Sequence, residues 1–347
     1  MATINDVAKR AGVSRSTVSL VLNKSPLVKE ETRELVERII AEMNYVPNSN
    51  ARGLSARVTN NIGVVFMQDY LPDTPLTSYD NDQHIGLCSF NISNGIMAGL
   101  QDTMYGVVTE RFCSIANPDE LPRIIREKRV DGAVIVGTPY SCQFVDNMKK
   151  TGLPFVMAGV SSWEETVDSI YADPGDGTEM AVLELIASGH KKICLFNSAE
   201  NLRSHQLRCQ GFCRAMEAGG LELMPEWNIF GALNNGKSAR EAFQKFWEAG
   251  NRPDAIVTAN GQSATGIMSY LYEIGVRIPD EISIISYEDS SICGYATPAL
   301  TSVNIRKEEL GKQAAKCLLE RIQKPHKPLE LMVIPPYMVH RDSVQKR

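Results

Sequence analysis

The stretch that most restricts the fold of this chain is its opening run, Thr3-Ile4-Asn5-Asp6-Val7-Ala8-Lys9-Arg10-Ala11-Gly12-Val13-Ser14-Arg15-Ser16-Thr17-Val18-Ser19-Leu20-Val21-Leu22-Asn23. Thr3 with Asp6 three residues on is an N-cap and its reciprocal acid, and Gly12 is a C-terminal stop. Ile4, Val7, Ala8 and Ala11 share one helical face. A second cap at Ser14 opens a helix in which Thr17, Val18, Val21 and Leu22 recur at helical spacing. Two short helices joined by a Gly-containing turn of about three residues form a helix-turn-helix. The same pattern also occurs as a plain packing unit, so its meaning depends on the residues that come after it in the chain.

In helix-turn-helix docking the second helix enters the DNA major groove by its N-terminal end. That geometry aims Arg15 and Ser16 at base edges and sets Leu20 one turn along the same face, while Thr17 and Ser19 can reach phosphate. Leu20 cannot hydrogen-bond a base and suits an apolar edge such as a thymine methyl. Residues 30–44 read as a third helix, with Thr32, Leu35, Val36, Ile39, Ile40 and Met43 on the inner face, enough to close a three-helix core. Tyr45-Val46-Pro47 ends it, and Asn48 to Ser55 is a capped segment too short to hold a helix alone in water.

Thr3 to Asn23, Glu30-Glu31-Thr32-Arg33, and Tyr45-Val46-Pro47-Asn48 leading to Ala51-Arg52-Gly53-Leu54 resemble the headpiece of the LacI/GalR family of bacterial transcription regulators. The resemblance implies a sequence-specific regulator, a repressor, that binds double-stranded operator DNA of palindromic sequence as a homodimer. Its DNA contacts would be Thr3, Arg15, Ser16, Thr17, Ser19, Leu20 and Asn23 in the headpiece, and Asn48, Ala51, Arg52 and Leu54 in a hinge helix. Leu54 would wedge into the minor groove, a device that kinks DNA and allows more contact elsewhere.

Charge agrees with a polyanion partner for this end alone. Residues 1–61 hold nine Lys/Arg against six Asp/Glu, in a chain whose net charge is −5. At 347 residues the chain has room for two or three domains. No run approaches the roughly twenty apolar residues of a membrane span, and the N-terminus lacks a signal-peptide layout. A cytoplasmic, nucleoid-associated protein with no membrane partner is expected. The eight Cys (88, 113, 142, 194, 209, 213, 293, 317) have no framework spacing and read as reduced thiols.

Past the polar connector Val58-Thr59-Asn60-Asn61, apolar runs of the kind buried strands show recur at residues 62–67, 132–136, 154–158, 192–196, 255–258 and 282–286. Helical patterns lie between and after them, at 96–107, 120–127, 176–189, 204–219, 238–250, 266–275 and 307–323. Such alternation means parallel sheets covered by helices. The resemblance extends here and implies an α/β two-lobed core like the periplasmic binding proteins, with two doubly wound parallel sheets and three crossings, near 170–173, 301–305 and 324–327. The expected division is a headpiece at 1–47, a hinge and linker at 48–61, one lobe at 62–170 with 304–325, and the other at 171–303 with 326–347. Ligands in such sheets bind at the carboxyl ends of the strands, so the lobes would enclose a small-molecule effector.

The implied effector contacts are Asp69, Arg208, Asn260 and Glu288. Arg208 opens Arg208-Cys209-Gln210-Gly211-Phe212, similar to the family's Arg-x-x-Gly-Phe stretch, and a guanidinium grips hydroxyls or a carboxylate in two places. The same Arg could instead be a surface ion-pair residue, and Glu288 or Asp289 could serve only to cap a loop. Asn260-Gly261-Gln262 stands where the family has Asn-Asp, and Tyr287-Glu288-Asp289 carries Glu where it has Asp. Family habit favours a sugar effector; a nucleobase or other metabolite is the alternative. Trp163, Trp227 and Phe230 are available to stack on a sugar ring, while Trp247 has core spacing. The first strand-to-helix connection, from Gln68 to about Asn91, is long enough to be a lid or a surface insertion.

His205, Cys209 and Cys213 recur every fourth residue, yet no further ligand is indicated, so no metal site is assigned and no cofactor is expected. The sequence has no G-x-x-x-x-G-K-[ST], G-x-G-x-x-G after a strand, G-x-S-x-G or H-E-x-x-H, so enzymatic activity has no motif behind it.

Overall fold

The computed structural model describes residues 2–22, 25–45, 58–67, 87–114, 117–137, 141–159, 166–197, 203–231 and 235–347. Asn23, Asn48, Ala51, Arg52, Leu54, Asp69 and Trp163 lie outside the described residues, as do the hinge segment and residues 68–86 of the long connection. The chain forms two compact units, residues 1–60 and 61–347.

The first unit is three helices, α1 (Ile4–Ala11), α2 (Arg15–Leu22) and α3 (Glu30–Glu42). The Thr3 hydroxyl accepts from the Asp6 amide (3.3 Å) and the Asp6 carboxylate accepts from the Thr3 amide (2.8 Å), closing the capping box. Gly12 ends α1 at φ 66°, a left-handed conformation that a residue with a Cβ rarely adopts. Val7, Ala8, Ala11, Val18, Val21, Val36 and Ile39 meet in one core. Leu35, expected inside, is 37 % exposed. The α3 stripe that faces inward runs through Val36 and Ile39, and Leu35 sits on its rim.

The second unit begins with β1 (Asn61–Met67), α4 (Leu87–Leu100), β2 (Gly106–Phe112), α5 (Arg123–Arg126), β3 (Gly132–Val136), α6 (Cys142–Lys150), β4 (Phe155–Gly159) and β5 (Ser169–Tyr171). It continues through α7 (Pro174–Ala187), β6 (Ile193–Asn197), α8 (Arg203–Ala218), β7 (Asn228–Phe230), α9 (Gly236–Glu248), β8 (Ala255–Thr258), α10 (Gly261–Glu273) and β9 (Ser283–Tyr287). The last elements are α11 (Ser291–Tyr295), β10 (Thr301–Asn304), α12 (Lys307–Gln323), β11 (Leu331–Val333) and β12 (Tyr337–Val339).

The strands form two six-stranded sheets, ordered β11-β5-β4-β3-β1-β2 and β12-β10-β9-β8-β6-β7. Every pairing is parallel except β10 with β12. Both sheets reverse strand order once, between β1 and β3 and between β6 and β8, and such switch points are where doubly wound folds open a crevice at the carboxyl ends of their strands. Among the described residues no helix is long and apolar enough to cross a membrane.

Three expectations are corrected. The helix read at 96–107 is α4, residues 87–100, and residues 106–112 form the edge strand β2 instead. The polar turn after Leu100, closed by Thr103 N–H to Leu100 O (2.9 Å), stops the helix, and Val107-Val108 suit a strand. The long connection therefore ends before Leu87 rather than at Asn91, which puts Phe90 inside α4. The crossings fall between Tyr171 and Pro174, between Asn304 and Lys307, and between Val333 and Tyr337. The last lies beyond the expected 324–327, so residues 326–333 do not belong to the second lobe: β11 pairs with β5 in the first sheet.

Candidate functional site

In the first unit α2 carries the candidate DNA-contacting face. Val18 and Val21 are buried, whereas Arg15, Ser16 and Leu20 point to solvent. This helix is stapled at its start: Ser14 Oγ accepts from the Thr17 amide (3.1 Å) and exchanges a hydroxyl contact with Thr17 Oγ1 (2.9 Å). The Thr17 hydroxyl is thus engaged locally, and Ser19 is half-buried. The Thr3 hydroxyl likewise donates to Asp6 (2.7 Å), and those hydrogen bonds hold the Asp6 carboxyl below the usual carboxylate range.

In the second unit the candidate effector residues gather at the carboxyl ends of the second sheet. Arg208, on α8, is buried, with its guanidinium carbon 5.0 Å from the centroid of the Tyr287 ring at the end of β9. That is a cation–π contact between strand end and helix. One turn earlier His205 is also buried; burial, then the charge of Arg208, lowers its pKa to about 3, so the ring is neutral at physiological pH.

Asn260 follows β8, and its side-chain oxygen accepts from the Ser263 amide (2.8 Å) as the cap of α10. Gly261, where the family pattern has an acid, is closely packed. A Cβ there would lie 2.5 Å from Ile292 Cγ2 and 2.9 Å from Cys293 Sγ, because α11 packs directly on this turn.

The acids after β9 divide their roles. Asp289 is fastened inside its own lobe by Ser302 Oγ (2.7 Å), Asn304 Nδ2 (3.2 Å) and Arg341 (2.9 Å). Burial opposes its ionisation, but Arg341 and the two other donors outweigh burial and hold its carboxyl below the usual range. Glu288 sits in the left-handed region (φ 72°), uncommon for a residue with a side chain, and its carboxylate lies 4.0 Å from Lys307 Nζ. Lys307 escaped the sequence reading because a Lys opening an amphipathic helix reads as a solvated residue.

Several candidates lie elsewhere. Trp227 is in the second-lobe core, edge-on to Phe246 (6.0 Å) and donating to Asn251 Oδ1 (3.3 Å). Phe230 is half-buried on the edge strand β7, and Trp247 packs on Phe243 with Arg252 over its ring. Cys209 Sγ accepts from Asn228 (2.9 Å) and Asn197 (3.3 Å), while Cys213 is exposed, so the two cysteines of the stripe face different surroundings. Among the described residues no cluster of three His, Cys, Asp or Glu could hold a metal.

A helix-turn-helix unit followed in the chain by a two-lobed core of paired doubly wound sheets defines a DNA-binding regulator with the architecture of a small-molecule binding protein. The model for bacterial regulatory proteins of the lacI family matches residues 3–48, and that for a periplasmic binding protein-like domain matches residues 182–344. The chain is 32% identical over 347 residues to the HTH-type transcriptional repressor PurR of Vibrio vulnificus, covering 100% of this chain and 99% of that one. It is 27% identical to the probable HTH-type transcriptional repressor ExuR of Bacillus subtilis, with the same coverage. Among solved structures it is similar to a transcriptional regulator CelR–cellobiose complex, at 25% identity and a TM-score of 0.72, covering 99% and 100% of the two chains. The lac repressor dimer bound to operator and the anti-inducer ONPF matches in fold, at 24% identity and a TM-score of 0.80, covering 99% of each. The chain belongs to the LacI family of bacterial regulatory proteins and is a DNA-binding transcriptional regulator.

Proposed function

We propose that the chain represses transcription by binding a palindromic operator as a homodimer, under the control of a small-molecule effector held between the two lobes of its core. The observation that carries the reading is the face of α2, where Arg15, Ser16 and Leu20 are exposed over a helix whose other side is buried. Protein two-fold symmetry then mirrors operator symmetry, with one recognition helix per half-site. In this reading residues 1–47 form the headpiece and 48–61 the link to the core. Thr3, Thr17, Ser19 and Asn23 serve phosphate and nearby edges, and Asn48, Ala51, Arg52 and Leu54 serve the minor groove.

Arg15→Ala is expected to weaken binding by about 1–3 kcal/mol and to relax preference at one base position. Competition gel shifts against single-base operator variants check this; an equal loss on every variant would reduce Arg15 to a phosphate contact.

For the effector, Asn260 and Glu288 follow the ends of β8 and β9, where doubly wound sheets take ligands, and Arg208 reaches Tyr287 at the end of β9 from α8; Asp69 would join them from the first lobe. A sugar is favoured, in keeping with the cellobiose complex of the similar CelR. Gly261 leaves one carboxylate fewer for vicinal hydroxyls, which supports a nucleobase or other metabolite as the second reading. Arg208→Ala should abolish the effector's influence on operator affinity while leaving ligand-free operator affinity unchanged, read by anisotropy titration across a panel of sugars and nucleobases. A retained response would put the pocket elsewhere.

A further inference from the structure

Lys307 is the first residue of α12, a helix that packs against α4, β3, β4 and β5 of the first lobe. Its side chain is only 5 % exposed, and it reaches back over the second crossing to the turn that ends β9 in the other lobe. There Nζ donates to the Asp289 carbonyl and lies 4.0 Å from the Glu288 carboxylate. Both ends of this reach are rigid. Asp289 is locked by Ser302, Asn304 and Arg341, all of the second lobe. At the other end α12 presses onto α4 so closely that a Cβ on Gly311 would lie 2.0 Å from Ile92 O. Between them Arg306 holds a left-handed turn (φ 51°) with its guanidinium over the Tyr337 ring of β12 (5.2 Å).

A buried ammonium needs an acceptor or a counter-charge, and those nearest it lie across the crossing on the other lobe. The αL backbone of Glu288 is a strained conformation that persists where its surroundings hold it.

We propose that Lys307 is a positioning residue for Glu288, a first-lobe cation that sets the carboxylate's orientation and fastens the second crossing to the β9 turn. The proposal rests on the effector-cleft reading only for its consequence: a ligand that bonds Glu288 meets a carboxylate that Lys307 already orients and balances. Its class is then one offering neutral donors such as hydroxyls or amide N–H groups, since an ammonium would set a second cation on a carboxylate already supplied with one.

Hydrogen exchange on the full-length chain, with neither DNA nor ligand, tests the tie separately from the DNA-binding and effector readings. Lys307→Met is expected to speed exchange at the amides of residues 305–310 by about tenfold or more, leaving residues 312–320 of α12 and strand β9 at wild-type rates. Glu288→Gln is expected to speed the same amides less, and to add nothing in the Lys307→Met background. Three results would overturn the proposal: unchanged rates at the crossing in Lys307→Met, an equal rise along all of α12, which would make Lys307 merely a support for its own helix, or a full additional effect of Glu288→Gln in the double variant.

Discussion

Replacing Arg321 with Met is expected to destabilise the core by about 3–5 kcal/mol, the cost of leaving one member of a buried ion pair without the other. Arg321 grips Asp168 with both branches, Nε to Oδ2 at 2.8 Å and NH2 to Oδ1 at 2.7 Å, and the Asp168 side chain is 1 % exposed. The same guanidinium donates to the carbonyls of Pro325 (3.2 Å), Lys327 (2.5 Å) and Pro328 (2.9 Å), and Asp168 accepts from the Glu330 amide (2.9 Å). Asp168 immediately precedes β5, so this one pair pins the segment that delivers β11 onto the edge of the first sheet. Set against a total stability of about 5–15 kcal/mol, its loss removes a large share. Urea unfolding checks the value. Arg321→Met with Asp168→Asn is expected to cost less than the sum of the single changes, because the second substitution removes the charge the first one stranded. A single-variant cost under about 1 kcal/mol would be that of a solvent-screened surface pair.

Gly311→Ala is the second change with a large expected effect, and its sign runs against helix propensity. In an exposed helix Ala is worth about 1 kcal/mol over Gly. Here the added methyl would meet Ile92 O at 2.0 Å, Ile96 N at 2.7 Å and Gly95 Cα at 2.8 Å, all of them backbone atoms of α4 that no rotamer change can move. The partner glycine is equally confined, since a Cβ on Gly95 would lie 2.1 Å from Glu308 O. The two helices must part, opening the core that Ile92, Ile96, Leu310, Ala314 and Leu318 fill, and overpacking of this kind costs about 1–3 kcal/mol or more. Gly294→Ala, in α11 with open space around it, is the control expected to be neutral or mildly stabilising. Unfolding midpoints of the two variants decide it, and a Gly311→Ala protein as stable as wild type would mean that the helices do not cross this closely.

The three-helix headpiece was readable because its determinants are local. Thr3, Asp6, Gly12 and Ser14 cap and stop their own helices, and the apolar spacing over residues 4–22 does the rest. The central strands were readable for the same reason: β1, β3, β4, β6, β8 and β9 are buried on both faces and show as apolar runs. Edge and very short strands carry no such signature. Of the edges, β2 mixes half-buried with exposed residues, and β7, β11 and β12 are three residues each; β5, an interior strand, is also only three residues, too short to register as an apolar run. β11 pairs with residues 169–171, a separation of some 160 positions that no window of sequence can sense, and the misplaced third crossing stems from it. In the candidate site, Arg208 was visible through a motif and Glu288 through its departure from one. Gly261 stands out as a missing acid in the sequence, and only the structure shows Ile292 and Cys293 packed so closely on it that any side chain there would require them to shift. Lys307 was hidden because its role comes from a contact across the lobes.

The central claim is that paired copies of the headpiece read a two-fold symmetric duplex. Selection of bound sequences from a random oligonucleotide pool by the purified full-length chain, with the stoichiometry of the selected complex measured by light scattering, tests it most directly. The expected result is enrichment of an inverted repeat whose half-sites are one helical turn apart, bound by two chains. Enrichment of an asymmetric site by a single chain, or no enrichment at all, would contradict it.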